Sequence, residues 1–85
     1  MKLSLAALSL AAFALVSAAQ AAESRLSDCT TMQKQVAAAL EAAQPGDSTE
    51  QARVQASAAR SFCGSGLYTK GVARYAQALH LLGHG

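Results

Sequence analysis

Two cysteines, Cys29 and Cys63, constrain this chain more tightly than any other feature, because they are its only pair and stand far enough apart to tie two separate elements together. Whether they pair depends on where the chain folds. The first 21 residues, MKLSLAALSLAAFALVSAAQA, carry one positive charge at Lys2, an apolar run from Leu3 to Val16, and an Ala-x-Ala ending at Ala19 and Ala21. That is the pattern of a Sec-type signal peptide. A membrane-spanning helix would need about 20 apolar residues with basic or aromatic flanks, and this run is shorter and broken by Ser4 and Ser9. The expectation is cleavage after Ala21 and a periplasmic or secreted product. In that oxidising compartment an even cysteine count predicts a Cys29–Cys63 disulfide, whereas the same pair in a cytosolic protein would suggest metal or redox chemistry. Closing a loop of about 35 residues is worth roughly 3 to 4 kcal/mol.

A tie of that size matters because little chain remains after residue 21. A domain of about 60 residues buries only about 60% of the surface its unfolded chain exposes, and commonly needs a covalent or partner contribution. Its charges nearly balance, with Arg25, Lys34, Arg53, Arg60, Lys70 and Arg74 against Glu23, Asp28, Glu41, Asp47 and Glu50. No basic patch argues for nucleic acid or an anionic membrane.

Apolar periodicity predicts three helices and an all-α fold. Cys29, Met32, Val36, Leu40 and Ala43 step by three and four from Ser27 to Ala43, the spacing of one helical face. Ser27 is the expected N-cap, with Asp28 in the first turn. In "QPGDSTE", Pro45 and Gly46 stop this helix, and Asp47 with Glu50 resembles a capping box that starts the next. The second helix, about Ser48 to Cys63, is alanine-rich, and Ala52, Ala56, Ala59 and Cys63 with Phe62 beside them form a shallow face suited to close helix approach. "CGSG" is the second turn, and a third helix runs from Leu67 to about Leu82, closed by Gly83. Its stripe is Tyr68, Val72, Tyr75, Leu79 and Leu82. In an antiparallel hairpin of the first two helices, Cys29 and Cys63 become neighbours, so pattern and covalent chemistry agree on an antiparallel three-helix bundle with one disulfide.

Residues 52 to 85 also resemble one tetratricopeptide repeat in length and register. The family's small residue of the first helix falls on Ala59, the aromatic after it on Phe62, the turn glycine on Gly66, the next aromatic on Tyr68, and the second small position on Gly71. The later aromatic falls on Tyr75 and the Ala-Leu pair on Ala78 and Leu79. Gln55 stands where the family has an early large aromatic, and Gly83 where it has a terminal proline. The chain after residue 21 is expected to divide into a short tail at residues 22–26 and a three-helix TPR-like domain at 27–83, and the resemblance implies an inner binding face on Arg53, Ala56, Ser57, Arg60 and Cys63, with the two arginines placed for an acidic peptide or chain terminus.

Chemistry beyond binding finds little support. His80 and His84 stand four apart, a weak metal-site alternative, because Gly83 unwinds the chain between them and no carboxylate or cysteine lies close in sequence. Three short helices rarely enclose a pocket for catalysis, so neither an enzyme nor a cofactor is expected. The sequence therefore predicts an exported helical protein-interaction module whose contact surface draws on Arg53, Ser57, Arg60, Lys70 and Arg74. Its partner would be a protein, a peptide or a second copy of itself. The alternative is an envelope stress-related or bacteriocin-like peptide that acts at a membrane surface.

Overall fold

A computed structural model describes residues 24–84, and the expected signal peptide lies outside them, as do residues 22 and 23 of the expected tail. Three helices follow one another: α1 (Leu26–Ala42), α2 (Asp47–Gly64) and α3 (Tyr68–Leu81). There is no strand among the described residues. The expected boundaries agree to within a residue or so, and the differences lie in the caps.

At the start of α1 the cap is Arg25, not Ser27. Asp28 accounts for the shift, because its carboxylate accepts a hydrogen bond from the Arg25 backbone N–H at 2.8 Å and draws the first turn back toward Arg25. The start of α2 moves likewise, with Gly46 at the cap and Asp47 as the first helical residue, so the expected Asp47 capping box does not form. Asp47 and Glu50 still place negative charge in the first turn, where the helix dipole favours it. Between the two helices Ala43 is extended, and Gln44, which precedes Pro45, is disfavoured from continuing a helix. The buried Thr49 hydroxyl closes this turn by donating to the Gln44 carbonyl at 2.6 Å.

The other two helix ends share one device. After α2, the Leu67 N–H donates to the Phe62 carbonyl at 2.9 Å and the Gly66 N–H to the Cys63 carbonyl at 3.2 Å. After α3, His84 and Gly83 repeat the pattern onto Leu79 and His80 at 2.8 and 3.0 Å. These are Schellman closures, which need a left-handed residue at the turn. Gly66 and Gly83 provide it, each with φ of 83°, a conformation that costs a residue with a Cβ.

The core is built from small residues around a few large ones. Val36 and Tyr75 are 1% and 2% exposed, and Ala52, Ala59 and Ala78 are fully buried beside them. Met32, Leu40, Leu79, Leu81 and Leu82 close over the outside. Burying Val36 or Tyr75 stabilises the fold by about 1.5 to 3 kcal/mol each. The most extensive packing joins α2 to α3, and the thinnest joins α1 to α2. The sequence suggested a hairpin of the first two helices with the third laid across it; the intimate hairpin is instead α2–α3, and α1 leans chiefly on α3.

Gly71 is the reason α2 and α3 can come so close. A Cβ built on Gly71 would overlap the Cys63 sulfur and would also press on the Ala59 carbonyl oxygen and the Cys63 backbone nitrogen, at 3.1 and 3.2 Å. Any side chain there holds the helices apart. The α1–α2 junction is secured differently, by the Cys29–Cys63 disulfide, which joins residues with Cα atoms 6.2 Å apart and 34 positions apart in the chain.

Candidate functional site

The thin α1–α2 packing leaves an open groove between these helices. Its middle is lined by Gln33, Val36 and Leu40 from α1 and by Ala56 and Arg60 from α2, with the Tyr75 ring of α3 beneath. Toward the disulfide it continues past Leu26, Thr30, Cys29, Cys63 and Gly64. Helical period explains the lining: Gln33, Val36 and Leu40 share one face of α1, and Ala56, Arg60 and Cys63 recur by three and four along α2. The groove thus has an apolar floor and a polar rim formed by Gln33 on one side and Arg60 on the other.

Electrostatics single out Arg60 on that rim. It is exposed, and among the described residues no carboxylate pairs with it. Arg53, two turns earlier on α2, lies within 3.7 Å of Glu50, an exposed pair of small energetic weight. Ser57 is exposed between them. A guanidinium of this kind offers forked donors that match a carboxylate.

Lys70 and Arg74, the other two expected contact residues, do not join this group. They lie over the half-buried Phe62 ring, with Lys70 Nζ at 5.9 Å and the Arg74 guanidinium carbon at 6.0 Å from its centre. Arg74 also donates to the Gln55 side-chain carbonyl at 3.0 Å. Positions 55 and 62 flank the buried stripe of α2 on one side and positions 53 and 60 on the other, by the 3.6-residue period. The five residues therefore fall into two clusters on separate sides of α2. Sequence reasoning grouped them because charge is visible in a sequence and the rotation of a helix about its axis in the assembled bundle is not.

Gln33 and the floor role of Tyr75 were missed for the same reason. Gln33 sits on α1 and gains meaning only when α2 lies opposite, while Tyr75 was read purely as core. His80 and His84 are both exposed, on either side of the Gly83 turn. Among the described residues no group of three or more histidine, cysteine or acidic side chains is gathered as a metal site would require. Nor is any described helix long and apolar enough to cross a membrane.

No family model matches the chain, and no curated protein or solved structure matches it. What the molecule does must therefore be argued from this geometry.

Proposed function

We propose that this chain is an exported protein-interaction module without catalysis of its own, and that the α1–α2 groove receives an acidic segment of a partner protein carrying an aliphatic side chain. The observation that carries the reading is Arg60, a guanidinium on the rim of an apolar groove that no carboxylate pairs with among the described residues. A carboxylate of the partner would meet Arg60 while an adjacent aliphatic side chain covers the partly exposed Leu40 and Ala56, and Gln33 would satisfy the partner's backbone. The disulfide supports an oxidising compartment, periplasmic or extracellular. We also read α2–α3 as a single tetratricopeptide-like unit, with α1 and its disulfide substituting for a neighbouring repeat. In support, the positions that family keeps small, Ala59, Gly71 and Ala78, are all buried in the packed interior.

The membrane-surface alternative is the weaker reading. An interfacial helix needs an apolar stripe left uncovered, and on α3 Tyr75 and Ala78 are buried while Leu79 and Leu82 are half-buried against the core.

The test is site-specific photo-cross-linking from position 33 in cells that export the full chain. Capture of one partner, lost in Arg60→Glu and kept in Arg74→Glu, is the expected result. A carboxylate-to-arginine contact that becomes buried on binding is worth about thirtyfold or more in affinity, about 2 kcal/mol or above. Capture that ignores Arg60→Glu, or no capture beside strong co-sedimentation with anionic vesicles, would sink the proposal.

A further inference from the structure

The outer face of α2 carries the same chemistry that the groove was argued to take. Asp47, Glu50 and Val54 stand at i, i+3 and i+7 and so share one side of the helix. The 3.6-residue period puts that side opposite the buried Ala52 and Ala59, and all three residues are exposed. Val54 is 65% exposed, the most exposed large apolar side chain among the described residues. No basic side chain pairs with Asp47 among the described residues. The 3.7 Å approach of Arg53 to Glu50 is longer than a hydrogen bond, which leaves the Glu50 carboxylate able to accept from elsewhere.

Spacing and polarity match the groove. Glu50 and Val54 set a carboxylate and an aliphatic group four residues apart, about 6 Å along the axis. In the groove Arg60 and Ala56 stand four apart in the opposite sense, with Leu40 of α1 on the same lining. A second α2 laid antiparallel to the first therefore sets Glu50 against Arg60 and Val54 against Ala56 and Leu40 in a single register. Charge is polarised to suit. Antiparallel helices gather Glu41, Asp47 and Glu50 near the α1–α2 turn, with Arg53 beside them, and gather Arg25, Arg60, Lys70 and Arg74 near the disulfide, against Asp28 among the described residues.

We propose that the occupant of the α1–α2 groove is a second copy of this chain, entering by its Asp47, Glu50 and Val54 face. The proposal rests on the groove reading above and names its partner. The two halves of the contact lie on different sides of α2, so a copy seated in its neighbour's groove keeps its own groove open. Association is head to tail, and heterologous contacts of this kind build rings or open chains.

Sedimentation of protein purified from cells that export the full chain tests this. Oligomers larger than a dimer should form as concentration rises, and added salt should weaken them. Arg60→Glu damages only the groove, and the double variant Glu50→Gln with Val54→Gln damages only the inserted face. All three positions are exposed, and circular dichroism checks that the helices are kept. Each variant alone should associate about thirtyfold or more weakly than the parent. Mixed together, they should form a one-to-one dimer that grows no further, because one supplies the only intact face and the other the only intact groove. Oligomers that ignore either variant, or a mixture that recovers no dimer, would overturn the self-contact. A parent chain that stays monomeric at millimolar concentration would do so as well. If a cross-linker at position 33 of that monomer still captures a foreign protein in an Arg60-dependent way, the groove reading stands without the second copy; if it captures nothing, both fail.

Discussion

The two interfaces made by α2 solve the problem of a small core in opposite ways. Against α3, α2 presents Ala52 and Ala59, and α3 answers with Gly71 and Ala78, so that backbones approach closely and dispersion contacts accumulate without large side chains. Against α1, the packing is thin, a groove remains open, and one covalent bond secures the junction. Close packing and an open recognition surface exclude one another at the same place. The chain puts the first on one side of α2 and the second on the other, and the disulfide lets the open side stay open without α1 drifting away.

The largest effect that could break this comparison is removal of the disulfide. Replacing both cysteines by alanine should lower stability by about 3 to 4 kcal/mol, and native-state hydrogen exchange should show α1 losing protection before α2 and α3. Uniform loss across all three helices would mean that the two interfaces belong to one cooperative unit, and the contrast would fail. A smaller effect is expected on the packed side. Gly71→Ala should destabilise by about 1 to 3 kcal/mol in a urea titration, although alanine is the better helix former by about 1 kcal/mol. Repeating that substitution in the background lacking the Cys63 sulfur should recover part of the loss, since the sulfur is the nearest atom a Cβ would meet. The smallest effect belongs to the surface. Arg74→Ala removes a hydrogen bond to Gln55 and a contact over Phe62, both exposed to solvent screening, and should shift stability by no more than about 0.5 kcal/mol. A larger loss would mean that polar contacts, and not small-residue packing, hold α2 to α3.

Much of this fold was legible before any coordinates. The three- and four-residue steps from Cys29 to Ala43 mark α1 because an apolar face must recur at helical period to be buried. Pro45 and Gly66 mark the turns because one restrains its neighbour from helix and the other reaches a left-handed φ. The disulfide was legible from two cysteines and the geometry of an antiparallel pair. The caps at Arg25 and Gly46 were less so, since Ser27 and Asp47 are equally good candidates locally, and one hydrogen bond from Arg25 to Asp28 shifts the first cap by two residues. The candidate site was half legible: Arg60 was named, but grouped with Lys70 and Arg74, from which the helix rotation separates it.

By itself, then, the sequence determined what is local or covalent: which segments are helical, where they stop, which residues are apolar enough to be inside, and which two sulfurs can meet. Tertiary structure alone decided which pair of helices packs intimately and which stays parted, and hence that Gln33, Arg60 and Tyr75 surround one groove that ends at the disulfide. The physical reason is that periodicity fixes a face on each helix but not the rotation and spacing of helices against one another, which depend on the sum of many weak contacts and on a single glycine without a Cβ to hold them apart.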